Sequence, residues 1–168
     1  MCTQQGSKLV GAGGTGGQSA SVALSGDGNT AIVGGPTDFP SGAAWVYTRT
    51  NGTWSQQGGK LIGAGEVGGA GQGTSVSLSG DGNTAVVGGP VDNFTGASTA
   101  VGAAWVFSRA GGVWTQQGTK LIGTGGVGSM YQGTAVAISG HGNTAIVGGT
   151  YNNGSVRAAW VYMRTAGK

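Results

Sequence analysis

The 168 residues include 40 glycines, 8% charged and 38% hydrophobic side chains, and carry a net charge of +3. So few charges exclude a charge-rich disordered chain, and eight scattered Lys and Arg exclude the clustered basic patch that nucleic-acid binding requires. No apolar run could cross a membrane as a helix, no charged-then-apolar leader opens the chain, and one Cys cannot form an internal disulfide. A soluble chain is expected, whether or not a longer parent is secreted or displayed at a cell surface.

In chain order, the first predicted element is a strand over residues 3–10, "TQQGSKLV", followed by a glycine-rich crossing. The crossing lacks the Gly-Lys-Ser/Thr ending of a phosphate loop and leads into a strand instead of a helix, so no phosphate site is expected. "SVALS" and "TAIVGG" flank the turn "GDGN" and predict a hairpin, because Gly and Asn there tolerate positive φ. After the connection "PTDFPSG", the stretches "AAWVYTR" and "WSQQGGKLIG" flank "TNG" and predict a second hairpin. Alternation puts Trp45 and Tyr47 on one face and Ala44 and Val46 on the other. No segment sustains the helical period over about ten residues, so no helix is predicted.

The same pattern then returns twice. "SVALSGDGNTAIVGGP" recurs as "SVSLSGDGNTAVVGGP" and "AVAISGHGNTAIVGGT", and "GAAWVYTR" as "GAAWVFSR" and "RAAWVYMR". The spacing is 54 residues from Gly28 to Gly82 and 60 from Gly82 to Gly142. Units of four antiparallel strands at about this period predict the blades of a β-propeller. The predicted organisation is a displaced fourth strand over 1–11, blade 1 over 12–63, blade 2 over 64–123, and blade 3 over 124–168 without a fourth strand of its own.

"QGTSVSLSGDGNTAVVGGP" followed by "GAAWVF" resembles the FG-GAP repeat of integrin-type propellers, and the resemblance extends over all three units. Gly88, Gly89 and Pro90 stand where that family has Gly-Ala-Pro, whereas its leading Phe-Gly is replaced by Gln72-Gly73 or Gln132-Gly133. The family often cages calcium between the first two strands with several carboxylates. Here that loop has one, Asp27 or Asp81, and His141 in the third copy. Calcium requires six to eight oxygen ligands, so neither a metal site nor any cofactor is expected.

The phrase "QQG.KL" closes the first two units but opens the chain, with Cys2 in the place of Trp54 and Trp114. The third unit stops in the turn before its fourth strand. Thr3, Gln4, Gln5, Lys8, Leu9 and Val10 are therefore expected to lie along Ala158, Trp160 and Tyr162 of a third unit, in the same chain or another. Three blades cannot close a ring, since closed propellers have roughly four to eight. A homodimer of six blades is the expected assembly, with a nine-bladed homotrimer as the alternative. Trp45, Trp105 and Trp160 are expected to pack between blades.

Reactive groups are few. His141 stands at a turn, Cys2 has no predicted activating neighbour, and no carboxylates recur as an acid and base pair, so no catalytic residue is assigned. The connections between second and third strands vary, and together with the crossings they gather Asp38, Phe39, Asp92, Asn93, Phe94, Met130, Tyr131, Gln132, Tyr151, Asn152 and Asn153 on one rim. Aromatic rings beside Asp or Asn suit a carbohydrate, or a protein ligand. The expected function is a non-catalytic scaffold that self-assembles and presents this rim. The alternatives are a propeller fragment with assembly as its sole property, and an enzyme with its site in the central channel.

Overall fold

The structure is a computed structural model and describes residues 1–94, 99–150 and 157–165. Every regular element among them is a strand: β1 (Ser21–Leu24), β2 (Thr30–Gly35), β3 (Ala43–Thr50), β4 (Thr53–Gln56), β5 (Ser75–Leu78), β6 (Thr84–Gly89), β7 (Ala103–Ala110), β8 (Val113–Gln116), β9 (Ala135–Ile138), β10 (Thr144–Gly149) and β11 (Ala158–Met163). They form three antiparallel sheets: β1-β2-β3-β4, β5-β6-β7-β8, and the three-stranded β9-β10-β11. The chain is all-β, and none of its described residues forms a helix long and apolar enough to cross a membrane.

Turn chemistry explains the hairpins. Asn51 and Gly52, and then Gly111 and Gly112, all have positive φ, as a two-residue turn matching the twist of its strands requires. Between β1 and β2, Gly28 takes φ +68 while the Asp27 carboxylate accepts from the Ser25 hydroxyl at 2.5 Å and the Asn29 amide at 2.9 Å. The fourth strands are shorter than the sequence predicts. After Gln56 the chain leaves the ladder, because Gly58 has φ +72 and the Gln56 side chain donates to the Gly58 carbonyl at 2.8 Å. It rejoins at Leu61, which exchanges two backbone hydrogen bonds with Ala44. Gln116, Gly118 and Leu121 repeat this detour against Ala104.

The sheets stack face to face in chain order. β1 lies against β5 and β5 against β9. The first turns are tied across the stack by the Gly26 N–H donating to Gly80 O, and Gly80 N–H to Gly140 O, both at 2.8 Å. Between sheets 1 and 2, Ile32, Ala44 and Val46 meet Val76, Leu78, Ala85, Val87 and Phe107. Between sheets 2 and 3, Val86, Ala104 and Val106 meet Val136, Ile138, Ala145, Val147 and Tyr162. Sheet 2 is thus apolar on both faces, which explains its unbroken Ala and Val run in β6, where all six residues are buried. The approach is close enough to demand glycine at Gly88, where a Cβ would collide with the Gly133 carbonyl and the Ser75 hydroxyl.

Of the strand tryptophans, Trp105 joins the cluster between sheets 1 and 2, whereas Trp45 lies on the other face of sheet 1 with Ala31, Ala43 and Tyr47. Trp45 and Trp105 are fully buried beneath the glycine crossings. Their indole N–H groups donate to the carbonyls of Ala12 at 3.0 Å and Ala64 at 2.9 Å. Trp160, half-buried, donates to Thr124 at 3.0 Å.

Candidate functional site

The ends of the stack differ from its middle. Val22 and Leu24 on sheet 1 are 67% and 60% exposed, while the equivalent Val76 and Leu78 on sheet 2 are 8% and 7% exposed. On the far face of sheet 3, Ile146 and Val161 are 42% and 63% exposed, while their counterparts Ile32 and Val46 on sheet 1 are fully buried. The two open faces are therefore equivalent in sequence to faces that are buried between sheets elsewhere in the molecule.

The edge of sheet 3 is open as well. Among the described residues β11 pairs with β10 alone, whereas β3 and β7 each carry a fourth strand. Residues 3–10 form no strand and do not reach β11 of their own chain. Gln5 and Gly11 lie against sheet 1 in the way the corresponding residues of the next linker lie against sheet 2. The Gln5 carbonyl oxygen accepts from Arg49 at 3.0 Å and from the Trp54 indole at 3.3 Å. Gln57 receives the same bonds from Arg109 and Trp114, both at 3.0 Å. Gly11 sits on the Trp45 ring as Gly63 does on Trp105, and a Cβ at either would enter the ring.

Gln4, just before Gln5, is held within its own segment. Gln4 donates to Gly6 O at 2.8 Å, the same ring that Gln56 makes with Gly58 and Gln116 with Gly118. Gln56 also accepts from the Ala12 N–H and Gln116 from the Ala64 N–H, both at 2.7 Å. The group in the corresponding place for Gln4 is the Thr124 N–H. The internal registers Tyr47 with Gln56 and Phe107 with Gln116 place Gln4 opposite Tyr162, Cys2 opposite Arg164, and Leu9 opposite Ala159. Leu9 and Val10 are 38% and 65% exposed, and Thr3, Gln4, Gln5 and Lys8 are exposed too. Ala158, Trp160 and Tyr162 are half-buried in β11.

The loop rim separates into two kinds of residue. Asp38 and Asp92 are buried. The Asp38 carboxylate pairs with Lys60 at 2.5 Å and accepts from the Thr15 N–H; Asp92 pairs with Lys120 at 2.6 Å and accepts from the Val67 N–H at 2.9 Å. Burial pushes the Asp38 carboxyl up, but the Lys60 ammonium and the Thr15 donors outweigh it and hold the group below its ordinary value. Gln132 is fully buried and bonds both the N–H and carbonyl of Gly123 at 2.6 and 3.0 Å, as Gln72 does with Gly63. Met130 is buried beside it. These four hold the crossings in place.

Phe39 and Phe94 instead project from the rim, 77% and 51% exposed. Asn93 takes φ +56 and donates its N–H to Val67 O at 2.9 Å, while Tyr131, φ +49, is half-buried. Tyr151, Asn152 and Asn153 lie outside the described residues. In the first two units a crossing meets a connection, Thr15 with Asp38 and Val67 with Asp92, but the sequence did not reveal that these acids have lysine partners. The signal was the spacing of Lys60 and Lys120, 22 and 28 residues after their aspartates in the two corresponding units.

Asp27 and Asp81 are spent within their turns. The Ser25 hydroxyl, then the Asn29 groups, lower the Asp27 carboxyl to about 2. Asp81 is lowered by Ser79 and Asn83 in the same way. In the third copy His141 stands outside the network, and Ser139 donates to Asn143 instead at 2.9 Å. His141→Asp should restore the lock and raise the melting temperature by about 2–4 °C, a shift typical of one modest interaction in a domain of this size. A carboxylate held as Asp27 is has a folded value of about 2, below the ordinary 3.8, so the gain is expected in full above pH 4 and fades as pH falls toward about 2. Melting curves of both proteins at pH 7 and pH 2 check it.

A comparison with protein-family models finds no match to this chain, and one with curated proteins finds no significant match.

Proposed function

We propose that the chain is a non-catalytic, self-assembling scaffold: half of a six-bladed β-propeller of FG-GAP type, closed by a second copy. The observation that carries this reading is the pair of open faces, because Val22, Leu24, Ile146 and Val161 each have an internal equivalent buried against the next sheet. Burying a Val, Leu or Ile side chain stabilises by about 1.5–3 kcal/mol, so Val22, Leu24, Ile146 and Val161 together favour closure. The residues 1–4 of one copy would extend β11 of the other, and residues 5–12 would link the two copies as residues 57–64 link sheets 1 and 2. A twofold ring uses this head-to-tail contact twice and closes the added edge at β11, leaving only the short outer edges of the blades.

The assembled ring would present Phe39 and Phe94 on its rim, with Asn93 beside them, to a carbohydrate ligand. Two exposed rings on loops anchored by buried ion pairs support that reading. The combined change Phe39→Ala with Phe94→Ala is expected to abolish binding on a glycan array while leaving the solution mass and melting temperature unchanged. An array on which the unaltered protein binds nothing removes the carbohydrate reading and leaves assembly as the function.

A further inference from the structure

A pocket of about 320 Å³ opens between sheets 2 and 3, and its walls include Val106, Gln117, Leu121, Ile138, Tyr162 and Arg164. The internal joint between sheets 1 and 2 shows what belongs there. Val46, Leu61, Leu78 and Phe107, the counterparts of Val106, Leu121, Ile138 and Tyr162, form the cluster on which Trp114 packs. The Trp114 indole N–H donates to Gln57, and the Arg109 guanidinium lies 5.4 Å from its ring centroid. Trp54 has the same two partners in Gln5 and Arg49, with the guanidinium at 5.5 Å. In the third unit Gln117 is held by Arg164 at 3.2 Å, so the acceptor and the cation are both in position, and none of the described residues lays a ring between them. Tyr162 also carries a buried hydroxyl with no hydrogen-bond partner among the described residues, an orphan of the kind a ligand or an added chain satisfies.

We infer that this pocket is an indole-binding site, which takes a flat aromatic molecule carrying one N–H donor. The ring would lie on Val106, Leu121 and Ile138, its N–H would donate to Gln117 Oε1, and Arg164 would cover its face by cation–π attraction. The inference about the assembled protein rests on the ring closure proposed above. There the incoming strand sets Cys2 opposite Arg164, where the other units have Trp54 and Trp114, and Met1 and Thr3 fall on the opposite face by alternation. A thiol fills little of a space that an indole fills elsewhere, so each joint between copies keeps a vacant ring-sized cavity. A volume near 300 Å³ is at the small end of sites that hold a small molecule.

Calorimetric titration of the full-length protein with indole, and with 1-methylindole as a probe lacking the N–H, tests the site. One indole per chain is expected, with 1-methylindole about fivefold weaker, the worth of one hydrogen bond. Gln117→Leu should bring the two probes to equal affinity. Cys2→Trp should fill the cavity from the second copy, abolish indole binding and strengthen the assembly. Absence of saturable binding, a preference for indole that survives Gln117→Leu, or full indole binding by an assembled Cys2→Trp protein would overturn the inference. A single-chain species that binds indole with the Gln117-dependent preference would refute ring closure and leave the pocket assignment standing.

Discussion

Deleting residues 1–4 is expected to convert the assembled protein to single chains while its three sheets remain folded. Met1, Cys2, Thr3 and Gln4 are exposed, and Gln4 bonds within its own segment, so their loss exposes no core of the same chain. In the assembly the same residues would add the fourth strand to β11, bring the Gln4 acceptor to the Thr124 N–H, and cover the open edge. A wider deletion of residues 1–10 also removes Gln5 from Arg49 and Trp54. It should therefore lower the melting temperature as well as abolish assembly. Light scattering and thermal melts on the two truncations separate these effects. Retention of the assembled mass by the four-residue deletion would show that the strand does not close the ring.

The second large effect concerns Asp92. Its carboxylate is fully buried, with one oxygen on the Lys120 ammonium and the other on the Val67 N–H. Asp92→Ala leaves Lys120, whose side chain is only 15% exposed, without its counter-charge and strands a backbone donor beside it. Removing one partner of a buried ion pair costs about 3–5 kcal/mol, and in a domain of this size that lowers the melting temperature by roughly 6–20 °C. Asp92→Leu combined with Lys120→Met should recover most of the loss, since the desolvation cost disappears with both charges. Asp38→Ala should do less damage, because Lys60 is 21% exposed and keeps more water. A melting temperature unchanged by Asp92→Ala would mean that the pair does not anchor the rim.

Much of the fold was legible because the repeat states it three times. Period-two alternation in "AAWVYTR", bracketed by turns that need positive φ at Asn51 and Gly52, fixes a hairpin without any tertiary information. The fourth strand was less legible. Gln56 has the composition of a strand residue, yet its side chain ties back to Gly58 and starts a detour that only three-dimensional register reveals. The chemistry of the rim was misleading for a related reason. Asp38 next to Phe39 suggests a polar and an aromatic group offered to the same ligand, but the carboxylate turns inward to Lys60 while the ring faces solvent. A sequence lists neighbours along the chain, and the partner that decides a charge's role lay 22 residues further on. The pocket beside Arg164 was not legible: the sequence shows Cys2 at the repeat position of Trp54 and Trp114, but the opening itself appears only once sheet 2 supplies its other wall.

Multi-angle light scattering of the intact chain at micromolar concentration tests the central claim most directly. Ring closure by a second copy predicts a single species of twice the 16.2 kDa chain mass. A folded species of 16.2 kDa at every concentration would contradict it, since the faces carrying Val22, Leu24, Ile146 and Val161 would then remain open to water.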